Sequence, residues 1–392
     1  MEKNRKKIIY LTSRNAKDRR EWSGTLFYMA KSLEKNSGEV IYVGPYSPKI
    51  LVFILRVFRK FIEIVFRKKY NINYNYLLVL AYKLHFTSII KKEKPEIVFA
   101  PSASGEMSLL KLDCPIVYLG DITFELLIDN YPNFTNLIKL NLWEANIIER
   151  KTYNNAAALV FSSEWAINSA KNFYGIPDYK NILIPYGANM DVIPKREEVI
   201  NKKIEDKVKI LFLGVDWIRK GGDIVYNAFI ELLNNDVKAE LLVVGCTPPD
   251  SYKHENIKVI PFLNKNKEGD FKVLYKILLD TNFLFVPSRS DCTPIAFCEA
   301  NAFGIPVITS DVGGITSVIK NEINGYTFPL STDPKKYADI ITSFYKKITN
   351  YNELVISSRN YYESNLNWDQ WGKSMDQLFD NLIENSKSET KQ

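Results

Sequence analysis

Two acidic residues have the types and spacing needed to bind a ligand that carries both phosphate and hydroxyl groups. Asp291 and Glu299 have seven residues between them in the segment Ser288 to Phe303, SRSDCTPIAFCEANAF. The apolar run Phe283 to Ser288 has the length of a buried strand, and the residues after it predict a helix. At about 1.5 Å rise per residue, Glu299 would lie about one and a half turns into that helix, so both carboxylates could bracket one ligand. Two solvated acids on a capped helix are the alternative.

The start of this predicted helix supplies further groups that could hold an anion. Thr293 is predicted as the N-cap and Pro294 as the first helical residue, where a missing N–H costs nothing. The amides of Ile295, Ala296 and Phe297 would then point out of the helix N-terminus. At that end the helix dipole favours a phosphate or a sugar oxygen.

A pair of cations forms the second candidate element. Arg219 and Lys220 follow an apolar run and precede Gly221 and Gly222, just before a helix predicted from Ile224. Two cations at such a helix start could clamp a diphosphate. Two solvated bases are the alternative.

A glycine near the N-terminus is the third candidate element. Gly24 opens a predicted helix in the segment Trp22 to Glu34, after the first strand-like run. Because glycine has no side chain, the backbone there could approach a phosphate or an acceptor closely. An ordinary helix start is the alternative.

Length and composition favour a two-domain globular protein. The chain has 392 residues, of which 46% are hydrophobic and 25% charged, and it has no uncharged apolar run of 18 residues that could span a membrane. The apolar run behind the basic N-terminus is too short for a signal peptide, so a cytoplasmic location is expected. No CxxC occurs and there are only two histidines, so we expect reduced thiols and no metal site. The four cysteines are Cys114, Cys246, Cys292 and Cys298.

Positive charge is concentrated in the first 100 residues. They hold 21 Lys and Arg against 8 Asp and Glu, whereas the whole chain has a net charge of +7. A basic surface of this kind suits an anionic partner, with nucleic acid and an anionic membrane face as candidates. A solvated lysine-rich surface is the alternative.

The segment 49–69 favours the membrane over nucleic acid. Its charged residues fall on one narrow helical stripe and the other faces are apolar, which is typical of an interfacial helix on anionic lipid. The stripe consists of Arg56, Arg59, Lys60, Glu63 and Arg67. It lacks the exposed stacking aromatics of a nucleic-acid site, so no nucleic-acid partner is expected. A buried helix with one wet edge remains the alternative.

Short apolar runs alternate with helical stretches along the chain and predict two doubly wound parallel-sheet domains. Strand-like runs start near Lys7, Gly38, Glu96, Pro115, Ala157 and Asn181, and a second series starts near Lys207, Ala239, Asn256, Phe283, Pro306 and Gly325. The predicted domains are 1–190 and 207–367, joined by a charged linker at 191–206. The tail 368–386 has a helical pattern and could pack back on the first domain. No GxGxxG or P-loop follows a strand, which argues against NAD-dependent and ATP-hydrolysing enzymes, and no cofactor is predicted.

Together, these elements resemble the GT-B retaining glycosyltransferases of family 4, the glycosyl transferases group 1. In that family two glutamates are separated by seven residues, where this chain has Asp291 and Glu299, and the segment EANAFGIPVITSDVGGI follows with the closing Gly313 and Gly314. Lys220 is similar to the family's diphosphate-binding lysine. The chain departs from the family at Val215, where an arginine is usual, and Arg219 is the nearest substitute. It also has Ser317 where the family often has a glutamate.

The resemblance implies two Rossmann-like α/β domains that face each other across a cleft, with a nucleotide-sugar donor held mainly by the C-terminal one. It implies that Glu299 binds the ribose, Asp291 the donor sugar, and Lys220 with Arg219 the diphosphate. Charge on the leaving group would be stabilised without a divalent ion, in agreement with the absence of Asp-x-Asp. Asp121 is the candidate that faces the sugar from the N-terminal domain, with a solvated strand-end aspartate as the alternative.

The expected function is therefore a retaining, metal-independent hexosyltransferase. It would act on a glycan or lipid-linked acceptor at the inner membrane face, in bacterial surface polysaccharide synthesis. A non-catalytic GT-B scaffold that partners an active transferase is one alternative, because Val215 and Ser317 depart from the family pattern. A nucleotide-sugar epimerase is another.

Overall fold

The computed structural model describes residues 5–128 and 130–389, which form two compact units. The first unit consists of the described residues up to Ile184 and of those from Trp371 onward, and the second is Pro185–Gln370. The division thus lies six residues before the predicted end of the first domain. Among the described residues, no helix combines the length and apolar character needed to cross a membrane.

The first unit is built on a six-stranded parallel sheet with the order β2-β1-β3-β4-β5-β6. Its strands are β1 (Lys6–Leu11), β2 (Gly38–Val43), β3 (Ile97–Pro101), β4 (Ile116–Gly120), β5 (Ala158–Phe161) and β6 (Asn181–Leu183). Its helices are α1 (Thr25–Asn36), α2 (Lys49–Phe66), α3 (Tyr76–Glu93), α4 (Ser104–Met107), α5 (Phe124–Leu127), α6 (Lys139–Asn155) and α7 (Glu164–Asn172). Every residue of β3, β4 and β5 is buried, as expected for a parallel sheet covered on both faces.

The second unit has the same architecture, with the strand order β12-β11-β10-β7-β8-β9, all parallel. Its helices before the last strand are α8 (Arg196–Val199), α9 (Gly222–Asn234), α10 (Glu268–Asp280), α11 (Ile295–Ala302) and α12 (Ile315–Val318). Its strands are β7 (Val208–Leu213), β8 (Ala239–Val244), β9 (Ile257–Ile260), β10 (Phe283–Val286), β11 (Val307–Ser310) and β12 (Gly325–Phe328). The helices α13 (Pro334–Lys346) and α14 (Ile348–Asn365) follow the last strand. All twelve predicted runs form strands.

The charged stretch at 191–206 is part of the second unit and is not a free connection. It carries α8, in which Val199 is buried, and it places Ile204 in the second hydrophobic core. Its two buried apolar residues are too few to produce a helical or strand-like period, so the sequence pattern did not indicate that this stretch packs on the second unit.

The last helix, α15 (Trp368–Glu389), begins at the end of the second unit and belongs to the first unit from Trp371 onward. There the Trp371 ring lies edge-on to Phe99 of β3, with ring centroids 5.9 Å apart. Lys6 at the start of β1 is buried and pairs with Asp376 at 2.5 Å and with Asp380 at 2.7 Å. The C-terminal helix therefore completes the core of the first unit.

Candidate functional site

The strand order of the second unit creates a switch point between β7 and β10. The chain continues from β7 to β8 on one side, while β10 lies on the other side. In open parallel sheets, ligands bind outside the carboxyl ends of the strands at such a point. The cation segment follows β7 and the Asp291 segment follows β10, so the sheet brings two of the predicted elements together.

Lys220 and Asp291 form an ion pair across this switch point, between Nζ and Oδ2. Both side chains are 15% exposed. The Ser288 hydroxyl also donates to Asp291 Oδ2 at 3.2 Å. The pair is thus partly shielded from water, which strengthens its electrostatic interaction.

Glycines allow the lysine segment to lie close to the end of β10. A Cβ on Gly221, which has φ 77°, would come 2.1 Å from the Pro287 carbonyl oxygen. A Cβ on Gly214 would come 2.9 Å from Cγ of Lys220. Only glycine permits both the positive φ and the close approach at position 221.

Arg219 is engaged with the Asp291 segment. Its Nη1 donates to the Ser290 carbonyl at 3.0 Å, and its own carbonyl accepts from the Arg289 amide at 2.7 Å. Its Nε also lies 3.7 Å from Asp216 Oδ2. The structure therefore places Arg219 beside Lys220 and Asp291. Part of its guanidinium already contacts the Ser290 carbonyl and the Asp216 carboxylate.

A second ion pair joins the segment after β7 to the segment after β10. It was not predicted from the sequence. Arg289 donates from Nη1 and Nη2 to the Asp223 carboxylate at 2.8 and 2.7 Å. Burial alone would raise the pKa of Asp223, but the hydrogen bonds and charge of Arg289 outweigh this effect and lower it below 3.8. The only sequence signal was an acid in the first turn of α9, which is common at any helix start.

The helix after the Asp291 segment starts one residue later than predicted. Pro294 occupies the N-cap position with ψ 117°, and Ile295 is the first helical residue, so Thr293 precedes the cap. The fixed φ of proline suits either position, and the Pro294 carbonyl accepts from the Phe297 amide at 3.0 Å. Phe297 therefore uses its amide inside the first turn, and Ile295 and Ala296 supply the two outward amides.

Glu299 lies inside α11 and is almost fully buried, with a side chain that is 3% exposed. Its Oε1 lies 2.5 Å from Nζ of Lys265, a residue of the segment between β9 and α10. Lysine 265 was absent from the predicted site. Its sequence context, NKNKEGD, reads as an ordinary polar turn, and only the tertiary contact distinguishes it.

The double glycine follows β11 and lies against the backbone of the Asp291 segment. Gly313 has φ 59°, and the Gly314 amide lies 3.3 Å from the Asp291 carbonyl that accepts from it. The structure therefore collects ten of the predicted site residues in the second unit. They are Arg219, Lys220, Asp291, Thr293, Pro294, Ile295, Ala296, Glu299, Gly313 and Gly314.

The other two predicted residues lie in the first unit. Gly24 is the N-cap of α1 with φ 90°, and Trp22 and Ser23 before it also have positive φ. Asp121 directly follows β4, and its Oδ1 accepts from the Ser162 hydroxyl at 3.0 Å. Both residues lie in loops at the carboxyl edge of the first sheet.

The first unit also contains a buried acid that the sequence did not reveal. Glu106 in α4 accepts from the Ser13 amide at 3.0 Å, so it joins the loops after β1 and β3. Burial raises the pKa of Glu106. Among the described residues, no cluster of three or more His, Cys, Asp or Glu side chains could hold a metal ion.

Comparisons with known proteins agree with this geometry. Residues 195–361 match the family model described as glycosyl transferases group 1. A glycosyltransferase of Methanocaldococcus jannaschii is 29% identical over 178 residues, which cover 41% of this chain and 44% of that protein. Spore coat protein SA of Bacillus subtilis is 30% identical over 170 residues, which cover 43% of this chain and 39% of that protein. The match thus spans less than half the length of either relative.

A solved structure extends the likeness to the whole chain at the level of the fold. A glycosyltransferase from Rickettsia africae superimposes with a TM-score of 0.66 at 16% identity, covering 98% of this chain and all of that one. The two six-stranded parallel sheets are those expected of two Rossmann-like domains. Residues 195–361 are therefore similar to the glycosyl transferases group 1 family, and the chain has the GT-B fold.

Proposed function

We propose that this protein is a glycosyltransferase that moves a hexose from a nucleotide diphosphate sugar to a glycan or lipid-linked acceptor. The observation that carries the proposal is the Lys220–Asp291 ion pair at the switch point of the second sheet, in the same segment as the buried Glu299. A cation for phosphate and two carboxylates for hydroxyl groups are what a nucleotide sugar requires.

Each residue receives one role in the proposal. Lys220, with Arg219 beside it, holds the diphosphate, Asp291 accepts from hydroxyls of the donor sugar, and Glu299 accepts from the ribose. The Lys220 ammonium has three donors, so it can keep Asp291 and still bind a phosphate oxygen. The outward amides of Ile295 and Ala296, with Gly313 and Gly314 beside the Asp291 backbone, complete the donor site.

We propose that the transfer retains the configuration at the anomeric carbon. The bond between the anomeric carbon and the diphosphate oxygen breaks, and its electron pair leaves with the diphosphate. The acceptor hydroxyl attacks from the same face and gives its proton to the departing phosphate oxygen. Lys220, Arg219 and the helix amides stabilise the developing negative charge, so the step needs no divalent ion. In the first unit, we propose that Gly24 approaches a phosphate or the acceptor and that Asp121 contacts the donor sugar.

The experiment that tests the donor site combines binding and product analysis. Release of nucleotide diphosphate is measured with a panel of nucleotide sugars, and the anomeric configuration of the product is determined by NMR. Turnover with retention supports the proposal. Absence of nucleotide binding by calorimetry would favour the non-catalytic scaffold, and conversion of the donor sugar without an acceptor would favour an epimerase.

We also propose that α2 lies on the inner face of an anionic membrane, which suits a lipid-linked acceptor in surface polysaccharide synthesis. Eight of its large apolar side chains are 52% to 80% exposed, and only Leu55 and Ile62 are buried. The exposed side chains are Ile50, Phe53, Ile54, Val57, Phe61, Ile64, Val65 and Phe66. A helix buried in its domain does not expose eight such side chains, so this observation argues against the buried-helix alternative.

Two other helices of the first unit also expose large apolar side chains. Leu77, Leu80 and Leu84 of α3 and Leu140 and Trp143 of α6 are also exposed. The starts of α3 and α6 are tied to the segment that follows α2. The α2 surface presents apolar side chains beside the cations of α2 and beside Lys68 and Lys69, which is the combination that binds anionic lipid.

A buried carboxylate joins α6 to the start of α3 and to the segment that follows α2. Glu144 of α6 accepts from the Tyr70 hydroxyl and, at 3.1 Å, from the Tyr76 amide. Ile138 also donates to the Lys69 carbonyl at 3.0 Å. The segment after α2 and the starts of α3 and α6 are therefore held close together in the first unit.

A further inference from the structure

Lys265 is the cation that contacts the buried Glu299. Its Nζ lies 2.5 Å from Glu299 Oε1, and its side chain is 30% exposed against 3% for Glu299. Burying a carboxylate without a partner is unfavourable, so the lysine stabilises Glu299 in its buried position. The two residues lie 34 positions apart in the chain.

The segment that carries Lys265 is held by hydrogen bonds on both sides of the lysine. The Asn264 amide donates to Asp270 Oδ2 at 2.9 Å, and the Asn264 carbonyl accepts from the Lys267 amide at 2.8 Å. The Asn266 amide donates to the Asn264 side chain at 3.0 Å. The turn thus holds the Lys265 backbone in a defined position, which lowers the entropy lost when the side chain meets Glu299.

We propose that Lys265 is a positioning residue for the nucleotide, acting through Glu299. The proposal rests on the donor site described above, in which Glu299 accepts from the ribose. A carboxylate has about four acceptor positions, so an ammonium group on Oε1 leaves room for both ribose hydroxyls. Lys265 orients the carboxylate, and its removal weakens the ribose contact without removing any group that touches the diphosphate.

The test measures how much nucleotide affinity the wild type and each variant gain from the ribose hydroxyls. Whichever of UDP, GDP and ADP binds the wild type is compared with its 2′,3′-dideoxy analogue by calorimetry. Charged hydrogen bonds of this kind predict a ratio of dissociation constants of about 10 or more in the wild type. Lys265→Arg keeps the cation and is expected to retain most of the ratio. Lys265→Met is expected to reduce it to about 3 or less, because the carboxylate loses its partner.

Control variants separate positioning from other roles. Lys267→Met changes an exposed lysine of the same turn and is expected to keep the wild-type ratio. Glu299→Gln is expected to reduce the ratio of dissociation constants as Lys265→Met does. The double variant should reduce this ratio no further. Lys265→Gln repeats the test if the methionine variant does not fold.

Two results would overturn the inference. If Lys265→Met weakens the binding of the nucleotide and of its dideoxy analogue by the same factor, the lysine acts on the diphosphate or on the fold and not through the ribose. If the wild type binds the nucleotide but shows no preference over the dideoxy analogue, Glu299 does not bind the ribose. Failure of the wild type to bind any of the three nucleotides is a different result, because it contradicts the donor site itself.

Discussion

Lys220 and Asp291 form an ion pair although 71 positions separate them in the chain. Lys220 follows β7 and Asp291 follows β10, and these strands are parallel neighbours in the sheet. The carboxyl ends of parallel neighbours lie at the same edge, so the pairing of two apolar strands brings the two charges together. This relationship defines the centre of the proposed donor site.

Replacing the lysine of this pair tests its role in transfer. Lys220→Met is expected to lower kcat/KM by about 100-fold or more, because the leaving diphosphate loses its main cation. Steady-state nucleotide release measures the effect. Lys272→Met is the matched control, since Lys272 is exposed and pairs only locally with Glu268 four residues before it. A turnover of Lys220→Met equal to that of the control would contradict the assignment.

Gly221 provides a test of the close approach between the lysine segment and β10. Gly221→Ala is expected to destabilise the fold by roughly 2 kcal/mol or more, because a Cβ would meet the Pro287 carbonyl in addition to the strained φ. Gly175→Ala is the control, because Gly175 has φ 72° with nothing within 4 Å of the added Cβ. It carries only the backbone strain, about 1 kcal/mol.

Thermal unfolding and nucleotide calorimetry distinguish the two glycine variants. Gly221→Ala should lower the apparent Tm more than Gly175→Ala does, and only Gly221→Ala should weaken nucleotide binding. Equal effects of both variants on Tm and on binding would show that the approach to Pro287 does not matter.

The Asp223–Arg289 pair predicts a defined dependence of stability on pH. Because the pKa of Asp223 is lowered below 3.8 in the folded protein, its contribution is present above the unfolded value and is lost as the pH falls through the folded one. Asp223→Asn should therefore be less stable than the wild type by a constant amount above about pH 5. The difference should shrink below about pH 4.

Urea unfolding between neutral and acidic pH measures this difference. The effect is expected to be modest, since both side chains are partly exposed and water screens the pair. A stability gap that widens as the pH falls would contradict the proposed sign.

The apolar surface of α2 predicts binding to anionic vesicles. Phe61→Asp with Ile64→Asp is expected to reduce the bound fraction in flotation by about tenfold or more, because two exposed apolar side chains are lost from the contact. The wild type should also bind phosphatidylglycerol vesicles less at high salt, because the cations of α2 are then screened.

A variant on the other unit controls for a general effect of added charge. Ile348→Asp changes an exposed apolar residue of the second unit and should leave flotation unchanged. Dimerisation of the wild type through the α2 surface, with no binding to vesicles, would assign the surface to a second copy of the chain.

The local pattern of the chain was sufficient to predict its strands and most of its site segments. All twelve apolar runs became strands. An uninterrupted run such as Phe283–Val286 suits a strand that is buried on both faces of a parallel sheet. The glycine before α1 and the helix after Asp291 were also predicted, since turn and cap chemistry depends on adjacent residues. The helix start was displaced by one residue because proline fits both the cap and the first turn.

The tertiary structure alone decided which side chains meet. The contact of Lys265 with Glu299 and that of Arg289 with Asp223 join residues 34 and 66 positions apart, and neither has a local sequence signal. The exposure of α2 was likewise undecided, because a helix with a wide apolar arc can be buried by its domain or left uncovered. The sequence by itself determined the elements and the residue types of the site, because these depend on near neighbours. The order of the strands brought Lys220 to Asp291 and Arg289 to Asp223, because these residues follow β7 and β10, which are neighbours in the sheet.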